Sequence, residues 1–283
     1  MCRDVNQRPL LQTPRSRSQA GFTLAELSAV IVIVGVVMAL LMPALASSKR
    51  KAEGIFCLNN LRQIQTAWAM YTEDHSDWLP GVTGGSMHER GKWISGWLDF
   101  SENPDNTNSA LLLQPKDSQL GSYLKTAAIY RCPSDRSVVR INGRVHPRVR
   151  SVSMNCWMNY IGSAQIGQDA YRVFRKYSDI VEPSPAAAWV FMDERPDSIN
   201  DGMFQTDLKN RRSRSKIIDY PASSHNGGAG VIFADGHAET KRWFDRRTMP
   251  VIRGGLLLQL GVASPNNPDV AWLQEHSSGP LAP

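Results

Sequence analysis

The sequence predicts an α+β protein, with a long N-terminal helix packed against a small antiparallel sheet. Three observations carry this. Residues 21–46, GFTLAELSAVIVIVGVVMALLMPALA, form an apolar run long enough to cross a bilayer, which takes roughly 20 residues of helix. Beyond it, apolar side chains recur at every third or fourth position as far as residue 75. From about residue 149 onward, short β-branched and aromatic runs alternate with turn residues.

The first element is a polar leader with Arg3, Arg8, Arg15 and Arg17 against the single acid Asp4, a balance that holds this end in the cytoplasm and exports the rest. Inside the apolar run stands one carboxylate, Glu26. A bare Glu in hydrocarbon costs on the order of 2 kcal/mol or more, so it calls for a partner, and an amine is the natural one. The segment Gly21-Phe22-Thr23-Leu24-Ala25-Glu26 resembles the cleavage and methylation signature of type IV prepilins and type II secretion pseudopilins. That resemblance implies a pilin-like fold and cleavage by a prepilin peptidase between Gly21 and Phe22, with methylation of the new Phe22 amine. It also implies that Glu26 neutralises the terminal amine of a neighbouring subunit during assembly. Pro43 stands where pilin-like helices carry a kink-forming proline. Two plainer readings compete: a secretory signal peptide cut after Ala46, and a single-span anchor with an incidental glutamate. The mature N-terminus separates the three.

The chain thus divides into a leader (1–21), a membrane half-helix (22–46), an exported amphipathic half-helix (47–75), a globular α+β domain (76–263) and a proline-rich tail (264–283). In the second half-helix, Ile55, Leu58, Leu61, Ile64, Trp68 and Tyr71 draw one apolar stripe. Joined to the first half, it makes a helix of roughly 75 Å. Gly54 weakens it locally, and residues 77–81, with Pro80 and Gly81, end it. Residues 81–118 read as a long loop with one short strand at 92–98. Trp93 and Trp97 fit the core better than a glycan or partner surface. A short helix is expected at 119–126, strands at 149–154 and 187–192, and a hairpin over 230–243 turning at Asp235-Gly236. The tail, with four prolines, is expected to be loosely ordered.

The formal charge of +6 falls to +3 once the leader's four arginines and one aspartate are removed, so nucleic-acid binding is not expected. The basic clusters at Arg140, Arg144, Arg148 and Arg150, and at Arg211, Arg212, Arg214 and Lys216, read as solvated faces. Cys2 leaves with the leader, leaving Cys57, Cys132 and Cys156. Their spacing is too wide for a zinc knuckle, so metal ligation by thiolates is not expected. A Cys57–Cys132 disulfide is permitted in an exported domain, because Cys132 opens a Cys-Pro turn that can reach back to the helix; three reduced cysteines are the alternative.

His225, followed after nine residues by Asp235-Gly236, resembles the His-x9-Asp-Gly motif of a pseudopilin-like family, as do Cys57-Leu58-Asn59-Asn60-Leu61-Arg62-Gln63-Ile64 and Arg131-Cys132-Pro133-Ser134-Asp135. The resemblance speaks to architecture more than mechanism. His225, Asp235 and His237, with Asp193, Glu194 and Asp201, are the right ligands for a divalent ion, and calcium is the candidate. Structural fastening is the simpler reading, and no cofactor is expected. With no nucleophile elbow, phosphate loop or HExxH pair, the chain does not read as an enzyme. The expectation is a filament subunit of a type II secretion or related apparatus. It would sit in the inner membrane with its C-terminal domain exported, partnered by a prepilin peptidase and other pilin-like subunits. The alternative is a membrane-anchored module that binds a glycan or secreted substrate.

Overall fold

The computed structural model describes residues 21, 23–84, 91–162 and 166–281, apart from the side chains of Pro43, Ala44, Ala46 and Arg50. The leader before Gly21, the expected methylation site Phe22 and the side chain of Pro43 therefore lie outside the described residues. The architecture is α+β, opening with α1 (Leu24–Asp74). Contacts divide the chain into two units, Met1–Ser47 and Ser48–Pro283, and α1 contributes to both.

In the first unit, α1 is long and apolar enough to cross a membrane, with a mean hydropathy of 2.8 over 18 residues, none of them buried. Leu24, Ile31 and Leu40 are among its exposed apolar side chains.

In the second unit the stripe on α1 is Cys57, Leu61, Ile64, Ala67, Trp68 and Tyr71, all buried in the core. Ile55, which the sequence places on the stripe, is exposed; Cys57 is the residue in phase with Leu61, Ile64 and Trp68. The helix ends where Ser76 and Asp77 take left-handed backbone angles, φ 54° and 75°, and Ser178 donates from its backbone and hydroxyl to the Asp77 carboxylate.

After a short helix, α2 (Ala110–Leu113), and a first hairpin, β1 (Val138–Ile141) and β2 (Arg144–Pro147), come β3 (Val152–Asn155), β4 (Trp189–Asp193), β5 (Met203–Phe204), β6 (Lys216–Ile217), β7 (Gly228–Phe233), β8 (Ala238–Arg242) and β9 (Val262–Ala263). The central sheet runs β5-β3-β4-β7-β8. It is antiparallel except for the parallel pair β3–β5. Side chains alternate between its faces. Met154, Phe191 and Ile232 join the core that holds the α1 stripe. Trp189, Met192, Val231 and Phe233 pack on the other side with Trp243 and Leu273.

Leu273 belongs to α3 (Pro268–Ser277), which corrects the expectation of a loose tail. Asn267 caps this helix by accepting from the Asp269 and Val270 amides, and Pro268 fills its first turn. Trp189 Nε1 donates to Ser277 Oγ at 3.0 Å and so anchors its end. The sheet is covered on both faces.

The long loop also departs from expectation. Residues 92–98 form no strand; scattered backbone bonds, such as those from the Trp93 amide to the Gly81 carbonyl at 2.8 Å and from the Gln119 amide to the Lys92 carbonyl at 2.9 Å, hold them together with side chains. Trp93 is buried, as the sequence suggests, and donates Nε1–H to the Gly202 carbonyl at 2.9 Å. Trp97 is half-buried. Arg148 and Arg150 are not solvated. Arg150 is buried and donates to the carbonyls of Asp201 (2.5 Å) and Gly96 (3.1 Å), while Arg148 donates to those of Pro196 and Ile199. A guanidinium carries five donors in a rigid fork, which suits it to gathering carbonyls that have no strand partner. The helix expected at 119–126 is instead two 3-10 turns, Gly121–Tyr123 and Ala127–Tyr130.

Candidate functional site

Two places on the chain carry chemistry. The first is the start of α1, where Thr23 and Glu26 cap the helix. Thr23 donates its backbone N–H (2.9 Å) and hydroxyl (2.7 Å) to Glu26 Oε2, and Glu26 N–H points back at Thr23 Oγ1 at 3.3 Å. Thr-x-x-Glu is the capping-box pattern, a signal that was legible in the sequence. The carboxylate also stands at the positive end of the helix dipole. Glu26 therefore has a role within its own chain. Gly21 is exposed, and a Cβ added to it would meet nothing within 4 Å.

The second place is a buried cluster of Cys57, Cys132, Asp193 and His225 whose ligand atoms all lie within 4.8 Å of one another. Four separate segments deliver them. Cys57 comes from the stripe of α1, Cys132 from the Cys-Pro turn, Asp193 from the end of β4 and His225 from the loop entering β7. Cys132 Sγ faces His225 Nε2 at 3.2 Å, and that nitrogen is 3.8 Å from Asp193 Oδ2. Cys57 Sγ donates to the same carboxylate oxygen. Ser151 Oγ donates to Asp193 Oδ1 at 3.3 Å and accepts the Cys132 amide at 2.8 Å. The Ser134 amide donates to Cys132 Sγ at 3.4 Å.

Two glycines border the cluster, and one of them makes room for it. A Cβ on Gly230 of β7 would come within 2.9 Å of both Cys57 Sγ and Leu61 Cδ1. A Cβ on Gly54 of α1 would stand 3.4 Å from His225 Nδ1, the ring nitrogen without a hydrogen-bond partner among the described residues. The glycine that the sequence reads as a local weakness therefore stands beside the imidazole, where a methyl group would make ordinary contact.

The charges are unequal. The neighbouring Cys57 thiol outweighs burial and brings the Cys132 thiol down to about 7, with His225 assisting. The nearness of Cys132, with burial, pushes Cys57 up. Burial alone would lower His225, but its hydrogen bonds to Asp193 and Cys132 prevail and raise it to about 10. The arrangement sets the more acidic of two thiols beside an imidazole of raised basicity, with a carboxylate in reach.

The expected Cys57–Cys132 disulfide needs correction: the fold brings the two residues together, but as free thiols, each with its own partner in His225 or Asp193. Cys156 is a third free, buried thiol, among core side chains. The remaining expected ligands disperse. Asp235 shapes the β7–β8 turn, accepting from the His237 amide at 3.0 Å and meeting His237 Nδ1 at 2.6 Å, while Gly236 takes φ +91°. Glu194 accepts from Ser153 and Ser198, both at 2.6 Å, and burial pushes its carboxyl to about 8. Asp201 accepts the Met203 amide at 2.8 Å. The sequence reading treated the cysteines as a redox question and His225 with Asp193 as a metal question. The fold joins the two.

Residues 16–42 match the family model described as the prokaryotic N-terminal methylation motif. Over 62 residues the chain is 39% identical to the type II secretion system core protein G of Klebsiella michiganensis, a stretch covering 22% of this chain and 44% of that protein. The chain thus spans less than half the length of this curated relative. No solved structure matches it. The chain carries a prepilin-type methylation motif at its N-terminus and, over part of its length, is similar to a type II secretion pseudopilin.

Proposed function

We propose that the chain is a pilin-like filament subunit of a type II secretion or related apparatus. A prepilin peptidase cuts it between Gly21 and Phe22, and Phe22 is methylated. The apolar part of α1 anchors it in the inner membrane, with the C-terminal domain exported to the periplasm or cell surface. Its work is mechanical: association with other pilin-like subunits through apolar helices. The observation that carries this reading is the methylation motif with Glu26 in place, leading directly into an 18-residue apolar stretch of α1, none of it buried among the described residues. The binding-module reading rested on Trp93 and Trp97, and Trp93 is buried with its N–H committed.

Mass spectrometry of the mature N-terminus tests the processing step, with methylated Phe22 expected and an uncut Met1 or a Ser47 start overturning it. Replacing Gly21 with Trp should block cleavage without disturbing the fold, since that position touches nothing else within the chain. Glu26→Gln separates the two roles of the carboxylate: Gln still accepts from Thr23 and keeps the cap, but removes the charge. We expect the Gln variant to be processed and inserted yet absent from crosslinked filaments. Wild-type levels of multimer from it would mean that capping, rather than intersubunit pairing, is what Glu26 is for.

A further inference from the structure

The geometry points to a structural metal site at Cys57, Cys132, Asp193 and His225, filled by a divalent transition ion of the zinc class that fastens α1 to the sheet. Two sulfurs, an imidazole nitrogen and a carboxylate oxygen are the donor set of a closed tetrahedral zinc site. Calcium takes oxygen ligands at high coordination number, and two thiols do not suit it. With metal–sulfur bonds of about 2.3 Å and metal–nitrogen or metal–oxygen bonds of about 2.0 Å, the edges of such a tetrahedron span about 3.3–3.8 Å. The recorded separations of 3.2 Å and 3.8 Å about His225 Nε2 are of that size, and all four ligand atoms lie within 4.8 Å of one another.

The surroundings fit an ion as well as the ligands do. Ser151 holds both the Asp193 carboxylate and the Cys132 backbone, and the Ser134 amide donates to Cys132 Sγ, as a metal-bound thiolate requires of its outer shell. Gly230 keeps the side chain of β7 out of the space beside Cys57. Cys132 also lines an open cleft of about 840 Å³, together with Asn60, Arg131 and Pro133, which gives an ion a path inward. Binding proceeds with loss of protons: the thiols of Cys57 and Cys132 ionise, His225 is neutral at Nε2, and Asp193 is already an acceptor. Because the four ligands come from segments far apart in sequence, the ion ties together pieces that no local turn could join.

The test uses the full-length chain purified in detergent without chelator. Elemental analysis is expected to find one zinc per chain, and thiol counting after unfolding without reductant should find the thiols of Cys57, Cys132 and Cys156, and that of Cys2 as well where the leader is retained. Cobalt(II) added after metal removal should give thiolate-to-metal charge transfer in the near-ultraviolet and the strong visible bands of a tetrahedral ion. This readout needs no variant, so a misfolding substitution cannot obscure it. Ser151→Ala, which removes only the hydroxyl that steadies the Asp193 carboxylate and the Cys132 amide, should weaken zinc affinity by roughly tenfold or more. Cys132→Ser and His225→Ala should abolish the cobalt spectrum. A disulfide consuming two thiols of the metal-free protein as isolated would overturn the assignment. So would refusal of both zinc and cobalt by the reduced chain, or a cobalt spectrum unchanged in Cys132→Ser. None of these outcomes depends on whether a peptidase exposes Phe22, so the site and the filament role fail separately.

Discussion

His225 faces Asp193 at 3.8 Å with both side chains almost wholly buried, whereas His237 faces Asp235 at 2.6 Å with 45% and 36% of theirs exposed. The two histidines flank the same strand, β7, and come from one short motif. Distance alone would rank the second pair as the stronger. Solvent reverses the order: an exposed pair gains little over its interactions with water, while a buried charge that loses its partner has nothing to replace it. His237 instead lies flat on Phe233, ring centroids 4.2 Å apart, and finishes a hairpin turn. The motif therefore holds two unlike devices, one that fastens the interior and one that shapes the surface.

The largest expected effect follows from removing each histidine. His225→Ala should cost about 3–5 kcal/mol of unfolding free energy, the range for stranding a buried partner. His237→Ala should stay within about 0.5 kcal/mol. Chemical denaturation of the two variants side by side checks this, and equal losses would break the comparison.

The glycines beside each pair sharpen it further. Gly230→Ala drives a Cβ against Cys57 Sγ and Leu61 Cδ1, an overpacking expected to cost about 1–3 kcal/mol. Gly236→Ala meets no atom, and its cost, about 1 kcal/mol, comes only from the positive backbone angle. A Gly236 variant less stable than the Gly230 variant would mean that backbone strain, not space around the thiols, governs this region.

The smallest effects concern two carboxylates without a buried histidine. Asp219 is buried, and burial first, then the charge of Glu194, raises its pKa well above the ordinary value. A carboxyl whose folded pKa is raised gives its full contribution below the unfolded pKa, about 4, and loses it as pH climbs toward the folded value. Asp219→Asn keeps an acceptor for the Gln205 amide and should raise Tm by a few degrees at pH 8, the gain vanishing near pH 4. A gain that is the same at both pH values would show that ionisation is not the cause. Asp235→Asn should change Tm least of all, because Asn-Gly favours the same turn.

How much of this was legible follows from how far apart the contacting residues lie in the chain. The long helix and the Asp-Gly hairpin are written in local periodicity, and both are present. The hairpin at Asn142-Gly143 was equally legible, an Asn-Gly pair between Ile141 and Arg144 with φ 50° and 75°. So was α3, whose Asn-Pro-Asp start announces a helix although prolines surround it. Arg148 and Arg150 could not be told from solvated neighbours, because nothing local reveals that Asp201, Ile199 and Gly96 will turn carbonyls toward them. The thiol cluster was hidden for the same reason: each ligand sits in a plain local setting, and only the meeting of four segments gives it meaning. One clue was present all the same. Cys57 falls in register with Leu61, Ile64 and Trp68, so its thiol had to face inward.

The order of the central sheet also bears on how copies of this domain can meet. Strand addition needs a long, bare edge. One margin here is β5, two residues long, and the other is β8, whose AETKR sequence sets Glu239, Lys241 and Arg242 along the rim. Short length on one side and charge on the other leave little template for an incoming strand, while both broad faces are already covered. Sheet-to-sheet growth of the amyloid kind is thereby discouraged, and under the proposed filament role contact between copies falls to the apolar N-terminal part of α1, which is exposed among the described residues.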